Sequence, residues 1–233
     1  MSNDMSTAGT IYVHAFRPSE YTTALLRAIE TDCLALGNGR VLDMGVGSGL
    51  LLAGLIHAGA TQAWGVDIDP AAIEASQSLL APVTHGRTCR LILGDMWDAV
   101  PDAAQFDVIV ANLPHFPANV SYADRPKNWT GGDGRNTIDR FLKGLPDHLA
   151  DSGTAYFTHH DLIGFDHTVK LVESLGLRCS TVTQWTVFEP PERMEAVSAQ
   201  TRALAEKSTH YYGGYAFVTA RIIKIQWAHT LNA

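Results

Sequence analysis

Apolar positions along the chain fall into two alternating patterns, one with the spacing of a helix face and one with the continuity of a buried strand. The first helix is predicted over 19–36, where Leu25, Ile29 and Leu34 follow a roughly helical spacing and Gly37 ends the segment. Beyond it, apolar runs predict strands over 40–44, 62–67, 90–93, 106–111 and 154–158. Helical patterns cover 48–57, 70–80, 136–149 and 165–175, with a kink or interruption expected at Pro146. This alternation predicts a doubly wound α/β fold with a mostly parallel, seven-stranded sheet, whose ligand sites lie beyond the carboxyl ends of the strands.

The last part of the chain departs from this alternation. The segments 178–188 and 215–227 are both predicted strands without a conventional crossover between them, so we expect an antiparallel pair at one edge of the sheet. The insertion 189–214 contains a predicted helix over 192–207, with an apolar stripe at Met194, Val197, Thr201 and Leu204. Within a single domain, 1–233, this insertion is expected to form a lid over a ligand, to form a dimer contact, or simply to pack on the sheet edge.

Composition places the chain among globular proteins. Of its 233 residues, 46% are hydrophobic and 18% charged, and 17 basic against 24 acidic side chains give a net charge of −7. This acidic balance disfavours a nucleic acid partner, because Lys and Arg are scattered rather than clustered.

The longest nearly apolar run, 50–60, is shorter than the about 20 residues of a membrane span, and the first residues lack a secretion signal. We therefore expect a cytoplasmic protein without membrane attachment, and the widely spaced Cys33, Cys89 and Cys179 are expected to be reduced thiols.

A glycine-rich turn follows the first predicted strand and opens the next helix. Gly45, Gly47 and Gly49 let the backbone bend sharply and let a ligand approach where a Cβ would clash. Asp67 lies 20 residues after Gly47, at the end of the next strand. Its carboxylate can accept hydrogen bonds from both ribose hydroxyls of an adenosine ligand.

Further polar residues stand at neighbouring strand ends. Asp69 is expected to cap the helix that begins at Pro70. Asp95 and Met96 end the third strand, where the carboxylate can accept the amino hydrogen of adenine and the methionine can lie against the ring.

The glycine spacing differs from that of dinucleotide-binding proteins, which carry a third glycine where this chain has Leu50. Asp43, before the glycines, suits a ligand with an amino group, such as a sulfonium amino acid. The glycines and carboxylates at three strand ends resemble the S-adenosyl-L-methionine site of class I methyltransferases. The resemblance implies that the cofactor-binding residues are Asp43, Gly45, Gly47, Gly49, Asp67, Ile68, Asp95, Met96 and Asn112.

The fourth strand is followed by Asn112-Leu113-Pro114-His115-Phe116. This segment resembles the [Asn/Asp]-x-Pro-aromatic motif of amino-group methyltransferases. The Asn112 side-chain oxygen and the Leu113 carbonyl can each accept one N–H of a planar amide or amine, which leaves the nitrogen lone pair aimed at the methyl group. Pro114 fixes the turn, and the resemblance implies a catalytic role for Asn112, Leu113, Pro114 and His115.

His115 occupies the position of the aromatic ring in the usual forms of this motif, Asn-Pro-Pro-Tyr and Asn-Leu-Pro followed by an aromatic residue. Three roles stay open for it. The imidazole can stack on a planar acceptor, can act as a base, or can turn away so that Phe116 stacks instead.

Two further segments resemble HemK-type glutamine N5-methyltransferases, especially the short members without a separate N-terminal helical domain. The segment 16–26, which begins with Phe16 and Arg17, resembles their approach segment, and 129–141 resembles their glycine-rich loop and helix. The resemblance implies methylation of the glutamine of a Gly-Gly-Gln loop in release factors. The altered motif and the insertion leave two alternatives open: a small amino- or amide-bearing metabolite as acceptor, and a noncatalytic S-adenosylmethionine-binding subunit.

His159, His160 and Asp161 follow the fifth predicted strand. Adjacent residues of an extended segment point to opposite sides, so at most one of the two histidines can face the site, and we predict no metal there. The sequence leaves open whether the chain forms a homodimer. The residues expected to contact the acceptor, whether a protein loop or a small molecule, are Phe16, Arg17, His115, Phe116, His159 and Tyr211.

Overall fold

The computed structural model describes residues 18–32, 39–84, 86–117 and 132–228. The strands are β1 (Arg40–Met44), β2 (Gln62–Asp67), β3 (Thr88–Leu93), β4 (Phe106–Ala111), β5 (Leu149–His160), β6 (Leu177–Glu189), β7 (Thr209–Tyr212) and β8 (Tyr215–Trp227). The helices are α1 (Glu20–Asp32), α2 (Leu50–His57), α3 (Pro70–Leu80), α4 (Asn136–His148), α5 (Phe165–Ser174), α6 (Pro191–Ala196) and α7 (Ala199–Leu204). None of these helices is long and apolar enough to cross a membrane.

One sheet organises the molecule, with the strand order β3-β2-β1-β4-β5-β8-β6. Strands β1 to β5 pair in parallel, and their alternating side chains enter two apolar clusters on opposite faces. In β1, for example, Leu42 and Met44 pack on one face while Val41 packs on the other. The predicted α/β architecture is confirmed, and it brings the ends of β1, β2 and β4 to the same edge of the sheet.

The predicted antiparallel pair at one end of the sheet is also confirmed. Strand β8 pairs along its whole length with β6, and its central part pairs with β5, where Phe157 lies opposite Ile223. β8 therefore fills the space between β5 and the outermost strand β6. The short β7, which the sequence pattern did not predict, pairs with the start of β8 and adds an eighth strand.

The insertion differs from its prediction because the expected helix over 192–207 is broken. Val197 is extended between α6 and α7, and the Ser198 hydroxyl accepts a hydrogen bond from the Thr201 N–H and caps α7. Most of the predicted stripe packs on the chain itself, because Met194 and Val197 lie in a small cluster with Leu162, Ala216 and Val218. Thr201 is buried as well, while Leu204 remains exposed.

Two helix boundaries also differ from the sequence pattern. Helix α2 begins at Leu50 instead of residue 48, because Gly49 precedes it in a left-handed conformation with a φ of 83°. Helix α4 runs through Pro146 without interruption, and this proline lies in its last turn. The predicted end of α1 at residue 36 lies outside the described residues.

Candidate active site

A cleft of about 640 Å³ opens at the carboxyl ends of β1, β2 and β4. Residues 18–22 at the start of α1 form one wall, and Asn136, Thr137 and Arg140 of α4 form another. From the sheet side the cleft is lined by Met44, Gly45, Val46, Gly47, Asp67, Ile68, Asp95, Met96, Asn112, Leu113, Pro114, His115, Phe116 and His160. Most of the predicted site residues are thus brought together at one place.

Two positions of the turn after β1 have a backbone conformation that disfavours a side chain. Gly45 has a φ of 78°, and a Cβ there would lie 2.8 Å from Leu113 Cδ2. Gly49 has a φ of 83°, and a Cβ there would lie 3.0 Å from Ser76 Cβ. Because L-residues with side chains rarely adopt this conformation, the turn requires glycine at both positions.

Asp67 stands at the centre of the cofactor half of the cleft. Its Oδ2 accepts a hydrogen bond from the Gly47 N–H at 2.9 Å, and its Oδ1 accepts one from the Asp69 N–H at 3.0 Å. Burial raises the pKa of this carboxyl group, while the backbone donors oppose the rise. Asp69 caps α3 as predicted, because its carboxylate accepts the Ala71 N–H. The prediction that Asp67 faces an adenosine ligand agrees with its placement.

Asp43 is set apart from the residues that line the cleft. It is fully buried, it does not line the cleft, and neither carboxylate oxygen has a hydrogen-bond partner among the described residues. Burial, with the nearby charge of Asp67, raises its pKa well above the ordinary value. The alternation along β1 directs its side chain toward the face that carries Val41, so its predicted contact with a ligand amino group has no support from its placement and stays a prediction.

The predicted adenine region holds a strained residue and an ion pair. Met96 is the one described residue other than glycine with a positive φ, 51°, and it is buried at the cleft wall. Asp95 Oδ1 binds the Arg140 guanidinium at 3.1 Å. Sequence reasoning missed Arg140, since nothing in the sequence pattern relates α4 to the end of β3. Trp97 serves packing and not the cleft, because its ring stacks on His148 with the centroids 4.7 Å apart.

Asn112 is held by two hydroxyl groups at the floor of the cleft. Its Nδ2 donates to Thr22 Oγ1 at 3.2 Å, and its Oδ1 accepts from Thr158 Oγ1 at 2.9 Å. Thr22 belongs to α1 and Thr158 to β5, so the side chain at the end of β4 is fixed from two neighbouring elements.

His115 lines the cleft as a neutral imidazole. Its Nδ1 lies 2.6 Å from the Leu113 carbonyl oxygen, and because a carbonyl can only accept, Nδ1 carries the proton. Burial lowers the pKa of His115 to about 3, against the opposing effect of this hydrogen bond. Nε2 is therefore an unprotonated acceptor without a partner among the described residues. One lone pair of the Leu113 carbonyl, predicted to bind the acceptor, is occupied by this contact.

His160, and not His159, reaches the cleft. His159 points to the other side of β5, where it contacts Asp161 at 3.2 Å and Thr168 at 3.0 Å. The His160 Nε2–H donates to Glu189 Oε1 at 2.9 Å. The prediction that one histidine at most faces the site agrees with this placement, while the assignment of His159 to the acceptor is corrected.

The insertion reaches the same end of the cleft through Arg193. Its guanidinium lies over the Phe116 ring and 3.3 Å from Glu189 Oε2. Both Arg193 and Pro190 line the cleft. Tyr211, predicted to contact the acceptor, is instead exposed and borders a smaller cavity behind the insertion. Phe16 and Arg17 lie outside the described residues. No group of three or more potential metal ligands is present in the described part of the chain.

Comparisons with known proteins point to methyltransferases. A family model described as ribosomal protein L11 methyltransferase (PrmA) matches residues 19–115. A protein of Methanocaldococcus jannaschii named "Putative protein N5-glutamine methyltransferase" is 26% identical over 193 residues, or 81% of this chain and 93% of that protein. A ribosomal protein L11 methyltransferase of Laribacter hongkongensis is 32% identical over 61% of this chain, which spans only 46% of that relative.

A solved structure has a similar fold. It is that of the E. cuniculi Mtq2-Trm112 complex, described as responsible for methylation of the eRF1 translation termination factor. Its similarity has a TM-score of 0.59 at 20% identity, with 91% of this chain and 98% of that chain covered.

The cleft itself fits the cofactor of these enzymes. The glycine turn offers close backbone approach, Asp67 offers a carboxylate, and Ile68 and Met96 offer apolar surface. The residues that match the family model run from α1 to the loop after β4 and include all of these cleft residues. The fold, the relatives and the residues that would hold the cofactor therefore all resemble those of S-adenosyl-L-methionine-dependent methyltransferases.

Proposed function

We propose that this enzyme methylates the side-chain amide nitrogen of a glutamine in a protein loop. The observation that carries the proposal is the placement of Asn112, which lies at the floor of the cleft with its amide fixed by Thr22 and Thr158. A planar primary amide has two N–H groups and a weakly nucleophilic nitrogen, so it requires oriented hydrogen-bond acceptors more than a strong base.

The residues of the cleft can supply those acceptors. One N–H of the substrate amide donates a hydrogen bond to Asn112 Oδ1. The other N–H donates either to the free lone pair of the Leu113 carbonyl or to His115 Nε2. When bound, the cofactor supplies an electrophilic methyl group on a sulfonium sulfur. Transfer of that methyl group would release the neutral thioether and leave the positive charge on the amide nitrogen, which would then lose one proton to the residues of the cleft.

His115 is suited to receive that proton. Its neutral form persists at physiological pH, because burial lowers the pKa to about 3, and its Nε2 is unprotonated. A low pKa makes it a weak base. A methylated amide that carries an extra proton is nevertheless a much stronger acid than imidazolium, so the transfer is downhill. Of the three roles left open for His115, that of the base that receives this proton is the one we propose.

The relatives favour glutamine as the methyl acceptor over the methyl acceptor of the ribosomal protein L11 enzymes. The L11 family model ends at residue 115, before the glycine-rich segment, the fifth strand and the insertion. It therefore covers the cofactor half of the cleft more than the acceptor half. The M. jannaschii relative, whose name gives glutamine, extends over 81% of this chain.

The insertion contributes to the acceptor end of the cleft in this proposal. Arg193 and Pro190 line the cleft, while Met194 and Val197 anchor the segment on β8 and the turn after β5. This arrangement favours a lid fixed on its own chain over a dimer arm.

The proposal is tested by transfer of a labelled methyl group from S-adenosylmethionine to a purified release factor. We expect label in the wild-type factor and none in a variant whose Gly-Gly-Gln glutamine is changed to alanine. Label in the small-molecule fraction of an extract, without label in the factor, would instead indicate a metabolite acceptor. Cofactor binding without transfer to either fraction would contradict the catalytic assignment.

A further inference from the structure

Two threonines surround the Asn112 amide and hold its two ends in different ways. Thr158 is completely buried, and among the described residues its hydroxyl group has one hydrogen-bond partner, Asn112 Oδ1, at 2.9 Å. Thr22 lies on the other side, where its Oγ1 accepts from Asn112 Nδ2 at 3.2 Å. The same Oγ1 also accepts the backbone N–H of Ser19 at 3.2 Å.

This arrangement selects one of the two orientations of the amide. Rotation by 180° would bring Nδ2 to Thr158, and the buried Thr158 hydroxyl hydrogen would then have no acceptor among the described residues. A buried polar group without a partner is costly, so the rotated state is disfavoured. Thr22 holds the other end of the amide, and its bonds with the N–H and hydroxyl of Ser19 tie it to the start of α1.

The orientation of the Asn112 amide decides whether the substrate nitrogen that receives the methyl group faces an oxygen atom or an NH₂ group. With Oδ1 fixed, Asn112 presents a second lone pair that can receive an acceptor N–H. In the rotated state it would present an N–H donor, which would bind the nitrogen lone pair that must attack the methyl group. We propose that Thr158 and Thr22 are positioning residues that keep the oxygen of Asn112, and not its NH₂ group, directed at the acceptor nitrogen. This inference rests on the proposed function of Asn112.

Thr158→Val tests the proposal because it keeps the branched shape and removes the hydroxyl. With the release factor as acceptor, we expect kcat to fall about tenfold, the effect of one hydrogen bond, while cofactor affinity stays within about twofold. Thr158→Ser restores the hydroxyl and is expected to recover kcat to within about threefold of wild type. The matched control is Thr219→Val in β8, which removes a threonine hydroxyl bonded to the Ser208 carbonyl and is expected to leave kcat unchanged.

A second measurement needs no acceptor and so separates this inference from the proposed function. In a ¹⁵N-labelled protein, the Asn112 side-chain amide should give one sharp pair of NMR signals in the wild type and in Thr158→Ser. In Thr158→Val the pair should shift and broaden, because both orientations become populated. Unchanged signals in Thr158→Val, or equal loss of kcat in the Val and Ser variants, would overturn the positioning role. Absence of methyl transfer by the wild type would instead count against the glutamine acceptor, and the NMR comparison would still decide the role of Thr158.

Discussion

The guanidinium carbon of Arg193 lies 3.8 Å from the centroid of the Phe116 ring. The inserted segment therefore rests directly on the loop that carries Asn112 and His115. Glu189 connects the inserted segment to β5, because it contacts both Arg193 of the insertion and His160 at the end of β5. This contact explains how a segment outside the sheet can influence the acceptor end of the cleft.

Arg193→Met should raise the KM for the acceptor about fivefold and leave cofactor affinity unchanged. The substitution removes a cation–π contact, worth about 0.5 to 2 kcal/mol, and leaves the buried Glu189 without its cation. Steady-state kinetics and calorimetry measure the two effects. The matched control is Arg90→Met, which removes an arginine stacked on Trp64 away from the cleft. A KM that responds equally to both substitutions would contradict a role for the insertion at the acceptor.

Asp67→Ala should weaken binding of S-adenosylmethionine by about 1 to 3 kcal/mol, because the ribose hydroxyls would lose their acceptor. Calorimetry on the folded variant measures the change. Asp69→Ala is the control: it removes the cap of α3 and should lower the free energy of unfolding by about 1 kcal/mol with little effect on cofactor affinity. Unchanged affinity in Asp67→Ala would remove this residue from the cofactor site.

Asn112→Ala should reduce turnover at least about a hundredfold, because the substrate nitrogen would lose the oriented side-chain oxygen that binds its N–H group. Cofactor affinity should remain nearly intact. Single-turnover methyl transfer and calorimetry, performed on the same preparation, distinguish the two effects. A parallel loss in both measurements would show that Asn112 serves the cofactor and not the acceptor.

Much of this site follows from local sequence patterns. Gly45, Asp67 and Asn112 stand at strand ends, and parallel strands bring their carboxyl ends to one edge of the sheet. Arg140 and Arg193 could not be predicted in this way, because each reaches the cleft from an element whose packing is set by distant contacts. Asp43 shows the opposite case, since its position before the glycines indicates a ligand contact while the alternation of β1 turns its side chain away from the cleft.

The insertion shows a similar limit. The spacing of Met194 and Val197 correctly indicates buried positions, yet the predicted helix is broken at Val197, directly before the Ser198 cap of α7. Local hydrogen bonding by a serine side chain competes with helix continuation, and apolar periodicity does not register that competition. The short β7 was missed for a related reason: its tyrosines are exposed, so burial leaves no alternating pattern there.

The buried imidazole of His115 should contribute a loss of stability in acid that starts near pH 6.5. His115 has a pKa of about 3 in the folded state and an ordinary value near 6.5 when unfolded, so between these values the unfolded chain binds a proton that the folded chain does not. Stability present above pH 6.5 is therefore lost as the pH falls, by up to about 1.4 kcal/mol per pH unit for one such group. Burial lowers the pKa of His159 as well and adds to this contribution, whereas the raised pKa of Asp43 opposes it, so the comparison of variants isolates the part due to His115.

Urea unfolding at pH 7, 6 and 5 measures this slope. His115→Phe should flatten it, because the folded and unfolded states then differ by one titrating group fewer. A slope that is the same in the wild type and in His115→Phe would contradict the burial of a neutral imidazole.

The position of β8 between β5 and β6 governs the order in which the sheet can be assembled. Both neighbours of β8 precede it in the chain, so a nascent polypeptide that has reached residue 189 still carries β5 with an unpaired edge. That edge belongs to a twelve-residue strand that ends at His160, and an open strand of this length readily pairs with other chains. Synthesis of the insertion delays closure of this gap by a further 25 residues, from Pro190 to Gly214, before β8 begins at Tyr215. Strand β8 is thus synthesised after both of its neighbours in the sheet, and the interval before it is a period of aggregation risk.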